Sequence, residues 1–143
     1  MKKLFLLLAI IGLAACYNDM AIGATPESLT QWVHEYVTYT SDGEWPSDQF
    51  QTPQKTLELA TGDCDDYAIL LMWLMYQELG IKSEFVVLDT GTGYHATVAW
   101  EGTWYDATGG FTVAEADYVD QVVLRYGYDR IMFTCVFFSL DEE

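Results

Sequence analysis

The stretch Gly62-Asp63-Cys64-Asp65-Asp66-Tyr67-Ala68, written GDCDDYA, decides how this chain is read. It sets one thiol among three carboxylates, directly ahead of nine consecutive apolar residues, Ala68 to Tyr76. A cysteine kept only for packing behaves as a small hydrophobe and rarely has such acidic neighbours. Asp63 reads as a helix N-cap and Gly80 as the stop, so Cys64 falls in the first turn of a helix buried on most sides. Unpaired N–H groups and partial positive charge gather at that end and favour a thiolate. The Cys64 backbone N–H is also a candidate oxyanion donor. Asp63, Asp65 and Asp66 work against the thiolate if their charges face the sulfur. They read instead as cap and first-turn charges, and together they could hold a calcium ion, since carboxylates are hard ligands. No other cofactor is expected.

A free thiol has a pKa of about 8.5, so a reactive one needs an imidazole close by. The segment YHATVAW-EG-TWYDAT, Tyr94 to Thr108, supplies the candidate. It reads as a hairpin closed by the two-residue turn Glu101-Gly102. Trp100 then faces Thr103, Thr97 faces Asp106 and His95 faces Thr108. Alternate residues share a face, so His95, Thr97, Asp106 and Thr108 project from one side. His95 and Asp106 become diagonal neighbours, roughly 7 Å apart at the backbone. A carboxylate there can fix the imidazole tautomer and stabilise the imidazolium, the part played by the third group of a triad. A three-residue turn would destroy this geometry.

The remaining elements follow from periodicity. TPESLTQWVHEYV, from Thr25, reads as a first helix capped by Thr25, with Pro26 at its first position. Leu29, Trp32, Val33, Tyr36 and Val37 recur at helical spacing and should face the core, leaving His34 on the solvated side. SDGEWPSDQFQTPQK, Ser41 to Lys55, reads as a surface loop. After Gly80, EFVVLD reads as a strand ahead of the hairpin, and VVLRYG (Val122 to Gly127) and IMFTCVFFS (Ile131 to Ser139) read as two more. Helices first and then an antiparallel sheet make an α+β domain with a central helix packed on the sheet.

At the other end, MKKLFLLLAIIGLAAC has a basic start at Lys2 and Lys3, a short apolar run and small residues, the pattern of a secretory signal. Leu13-Ala14-Ala15-Cys16 resembles the lipobox of bacterial lipoproteins. That resemblance implies cleavage before Cys16 and lipid on its sulfur, with several acyl chains adding their burial energies into firm anchoring. The expected organisation is a signal peptide over 1–15, a tether over 16–25 and one domain over 26–143, held on the extracytoplasmic side of a membrane in the bacterial envelope. Cys135 lies in an apolar run and reads as a buried hydrophobe, although sequence leaves a Cys64–Cys135 disulfide open. The 143 residues are 51% hydrophobic, enough for a real core, and the net charge is -16. Six Lys and Arg give no basic footprint, which argues against nucleic acid as a partner. A monomer is expected.

The pieces QTPQKTL, GDCDDYAILL, the helix ending LGI, YHATV and WYDATGG together resemble the transglutaminase-like superfamily, within the wider papain-like fold. The match runs from Tyr39 to Gly110 and comes especially near bacterial transglutaminase-like cysteine peptidases. The resemblance implies that Cys64 is nucleophile, His95 general base and acid, and Asp106 the group that orients His95. The implied chemistry is attack on an amide carbonyl of a protein or peptide to give a thioester acyl-enzyme, completed by water. An amine could complete it instead, which would make the protein an acyltransferase, whereas water completing a thioester formed from glutamine would make it a deamidase. A binding module that has kept the fold is the non-enzymatic alternative. Related enzymes draw a second oxyanion donor from a Trp or Gln upstream of the cysteine, and Trp45, Gln49 and Gln51 are the residues available.

Overall fold

The computed structural model describes residues 23–41, 49–128, 131 and 133–139, the last stretch as backbone. The expected signal segment, Cys16, the tether as far as residue 22 and Trp45 lie outside the described residues. So does the side chain of Cys135.

Helix α1 (Pro26–Tyr36) starts where Ser28 N–H donates to Thr25 Oγ1 at 3.2 Å, with Pro26 in the first turn. Leu29, Val33 and Val37 are buried, while Trp32 and Tyr36 stack at 4.6 Å and pack partly against the same core. A two-residue strand β1 (Thr38–Tyr39) follows and pairs in parallel with β2 (Thr61–Gly62). Between them lies α2 (Pro53–Leu59), capped by Thr52 and ended by Ala60 in the left-handed region, φ 53°. The loop read over Ser41 to Lys55 therefore gives way to a helix at Pro53.

Helix α3 (Cys64–Leu79) is the centre of the fold. Leu70, Leu71, Leu74 and Met75 are fully buried against Leu29, Val33, Phe85, Ala96, Val98 and Tyr105. Each such side chain contributes roughly 1.5–3 kcal/mol by leaving water. The helix stops at Gly80, whose φ of +66° suits glycine. Its N–H donates to Tyr76 O at 3.0 Å, and Ile81 N–H to Met75 O at 3.1 Å, satisfying the last carbonyls.

The sheet has five strands in the order β6-β5-β4-β3-β7, all neighbours antiparallel. They are β3 (Glu84–Asp89), β4 (Tyr94–Trp100), β5 (Thr103–Asp106), β6 (Phe111–Ala114) and β7 (Phe133–Ser139). Trp100 pairs with Thr103 across the turn Glu101-Gly102, whose positive φ values of 46° and 75° fit a tight hairpin. β5 ends at Asp106, so Thr108 lies in a turn and does not face His95 across the ladder.

Between β6 and β7 runs α4 (Glu115–Tyr126), and this corrects the strand read at Val122 to Gly127. The adjacent valines mimic a strand, but a window taken from Glu115 places Tyr118 and Val122 four apart, both fully buried. Acidic residues open the helix, Arg125 lies in its last turn and Gly127 closes it at φ +72°. Tyr118 and Val122 cover Val86, Leu88, Ala99, Trp104 and Phe111 on the second face of the sheet. The domain is thus layered: α1 and α3 on one side, the sheet, then α4. No described helix is long and apolar enough to cross a membrane.

Candidate active site

The start of α3 is built by the segment ahead of it. Thr38 N–H donates to Ala60 O and Thr40 N–H to Gly62 O, both at 2.8 Å, so β1 fixes the approach to Cys64. Gly62 is required by close contact, because a Cβ there would sit 2.6 Å from Asp66 Cβ and 2.7 Å from Asp66 Oδ2. Asp66 folds back under the helix start. It accepts from Asp63 N–H at 3.3 Å as half of a capping box, and from Gln51 N–H and Gln51 Nε2, each at 2.7 Å. Burial raises its pKa, donors from Gln51 and Asp63 pull it back, and the neighbouring Asp63 charge raises it again.

Asp63, Asp65 and Asp66 are all buried and offer oxygens within 4.8 Å of one another, a set that could hold a metal ion. The Gln51 side chain also donates to Thr61 O at 3.3 Å. Its amide protons therefore serve the helix start, which leaves Gln51 a poor candidate for the oxyanion. Gln49 is exposed.

Cys64 is the first residue of α3, half-buried, and a free thiol, so the disulfide left open by sequence is not formed. As the first helical residue, its N–H lies among those without a partner inside the helix. His95, second in β4, shares a face with Thr97 and Ala99, which is the α4 side of the sheet. Its ring nonetheless lies near enough to Cys64 for that side chain to raise the imidazole pKa. Both residues stand at the ends of their elements, where thiol and imidazole can meet past the strand.

His95 Nε2 donates to Asp106 Oδ2 at 2.8 Å, which leaves Nδ1 for the sulfur. Burial alone would pull the imidazole pKa down, but the Asp106 charge and hydrogen bond, with the Cys64 side chain, push it up to about 10. Asp106 is fully buried; desolvation would raise its carboxyl, and the His95 charge, Tyr118 and Gly109 N–H outweigh this and hold it below the ordinary value.

Three further residues reach this carboxylate, and sequence reading missed them. Tyr118 Oη donates to Oδ2 at 2.7 Å, Tyr126 Oη to Oδ1 at 2.8 Å, and Gly109 N–H to Oδ1 at 2.9 Å. The tyrosines belong to α4, so the strand reading hid them. The Tyr126 ring lies 4.7 Å from the imidazole, with Tyr128 at 6.3 Å. His34 is exposed, as its helical face implies, yet Nδ1 donates to Thr108 O at 3.0 Å and so pins the turn after Asp106.

This arrangement can hold a proton between sulfur and imidazole with a buried anion behind it. The model of the transglutaminase-like superfamily matches residues 16–119. The chain belongs to the transglutaminase-like superfamily. Among solved structures, calcium-bound LapG of Legionella pneumophila is similar at 13% identity, covering 87% of this chain and 70% of that one, with a TM-score of 0.55. That likeness is one of fold. No curated protein matches the chain. The transglutaminase-like fold, with its central helix opening on Cys64, makes this a member of a family of thiol enzymes.

Proposed function

We propose that the protein is a thiol hydrolase that cleaves peptide or isopeptide amide bonds through a thioester, with Cys64, His95 and Asp106 as its triad. The observation that carries this reading is the buried His95–Asp106 pair beside the half-buried Cys64 thiol that opens the central helix. His95 takes the thiol proton through Nδ1 and the sulfur attacks the carbonyl carbon. The Cys64 N–H, at the first position of the helix, would donate to the oxyanion charge that develops. Collapse of the tetrahedral intermediate expels the amine, which takes its proton from His95. Water then attacks the thioester, His95 accepts its proton, and the acid product leaves with the thiol restored. Asp106 keeps the imidazole in the Nε2–H tautomer throughout.

Calcium fits the residues ahead of this centre. Asp63, Asp65 and Asp66 are hard oxygen donors brought together at a burial cost, which the raised Asp66 carboxyl reports. The ion would offset their charge and brace the segment that carries Cys64. The similarity to a calcium-bound structure supports the same reading. Thermal unfolding with calcium and with chelator tests it: calcium should raise Tm in the wild type and leave Asp65→Asn unmoved. Attachment to a membrane through lipid on Cys16, in the bacterial envelope, rests on the lipobox-like Leu13-Ala14-Ala15-Cys16.

The test of the enzymatic reading is selective alkylation. Iodoacetamide should modify Cys64 rapidly, as seen in a digest by mass spectrometry, and His95→Ala should suppress it. Equal, slow labelling in both proteins would overturn the triad. With a peptide library, adding a primary amine distinguishes hydrolysis from acyl transfer by the mass of the products.

A further inference from the structure

The Asp106 carboxylate accepts more hydrogen bonds than orienting an imidazole requires. Its Oδ1 takes Tyr126 Oη and Gly109 N–H, while its Oδ2 is shared between His95 Nε2 at 2.8 Å and Tyr118 Oη at 2.7 Å. From this sharing we infer that Tyr118 is a positioning residue that sets how tightly Asp106 holds the proton on His95, a role that rests on the triad reading above.

Two donors on one carboxylate oxygen draw on the same charge, so each weakens the other. The Tyr118 hydroxyl therefore moderates the pull of Asp106 on the imidazole. Packing does not require that hydroxyl. The ring lies 4.5 Å from Trp104 and 6.1 Å from Phe111 in a fully buried setting, where a phenylalanine would fill the same space. A buried hydroxyl is costly unless bonded, and this one is spent on the oxygen that His95 uses. A general acid and base must give its proton up as well as take it, and an imidazole held too tightly returns it slowly.

The groups that face His95 among the described residues are few. Asp106 comes from β5, Cys64 from α3, Tyr126 from the end of α4 and Tyr128 from just beyond it. Tyr118 acts through Asp106, and Leu88 on the neighbouring strand carries no charge. Tyr126 provides an internal comparison. It binds Oδ1, where Gly109 N–H remains if the phenol is removed.

The test is an imidazole ¹⁵N NMR titration of the whole protein, which has only two histidines, His34 and His95. Tyr118→Phe should raise the His95 midpoint by about 0.3–0.6 pH unit, equivalent to about 0.4–0.8 kcal/mol at 1.36 kcal/mol per unit. Tyr126→Phe should move it less. An unchanged or lowered His95 midpoint in folded Tyr118→Phe would overturn the inference and leave Tyr118 a packing residue. Should Tyr118→Phe not fold, 3-fluorotyrosine at position 118 keeps the ring and strengthens the donor. It should lower the midpoint, and no movement would count against the role. The titration does not depend on Cys64 chemistry, so a protein that fails the alkylation test can still pass this one, and the reverse.

Discussion

Asp106→Asn keeps the shape of the side chain and removes its charge, which makes it a severe perturbation of the site. Four donors converge on the carboxylate. An amide offers one oxygen and turns the other position into a donor, so donors must face a donor. Breaking a buried ion pair from one side costs about 3–5 kcal/mol, and the two phenols can rotate away, which favours the lower end. The effect on His95 is larger in kind. With Asp106 ionised its pKa is raised to about 10; once that charge and hydrogen bond are gone, burial pulls it down and the Cys64 side chain is left to oppose the fall. At pH 7.5 the imidazolium share then falls from nearly complete to about one-tenth where the midpoint returns to the ordinary 6.5. The rate of Cys64 alkylation by iodoacetamide should fall about 10-fold from protonation alone. Turnover should fall further, towards the roughly ten-thousandfold loss seen when a triad aspartate becomes asparagine and the tautomer is lost. The assay is the initial alkylation rate at pH 7.5, with circular dichroism to show that the variant is folded. A folded Asp106→Asn protein that alkylates at the wild-type rate would refute the reasoning.

Three other outcomes follow from the same structure. Gly62→Ala puts a methyl group 2.6 Å from Asp66 Cβ, and urea denaturation should show a loss of about 1–3 kcal/mol, the usual cost of overpacking. Leu71→Ala opens a cavity in the fully buried face of α3 and should cost about 2–5 kcal/mol by the same measurement, with no change in m value. Stability should also depend on pH with a definite sign. His95 is raised on folding, so its contribution is complete below about pH 6.5 and is lost as pH climbs towards about 10. Asp106 is lowered, so its contribution is complete above about pH 4 and fades below it. Raised Asp66 behaves as His95 does, lower on the scale. The urea midpoint should therefore decline from pH 6.5 to pH 10, and Asp106→Asn should flatten that decline.

What the sequence discloses is local. The start and stop of α3 are written in Asp63 and Gly80, because a cap and a left-handed stop are properties of single residues. The hairpin register is written in Glu101-Gly102, because a two-residue turn leaves one way to pair the strands, and His95 and Asp106 then share a face. What it withholds depends on distant contacts. α2 is only seven residues long and follows a polar loop, with Leu59 half exposed, so its apolar pattern is faint. α4 hides behind Val122-Val123, whose β-branched side chains favour strands until Tyr118 is counted with them. The four-residue β6 carries too little pattern to stand out. The clasp of Gln51 on Asp66 spans fifteen positions, and Tyr118 and Tyr126 meet Asp106 only because α4 folds across the sheet. No short-range periodicity encodes either.

Acid-quenched intact-mass spectrometry with an activated acyl ester, followed by digestion, measures whether the sulfur carries an acyl group during the reaction. The account predicts one hydroxylamine-labile acyl group on Cys64, absent from Cys64→Ala and accumulating slowly in His95→Ala. Ester turnover that continues unchanged in Cys64→Ala, or no acyl group on Cys64 of the folded wild type, would contradict it.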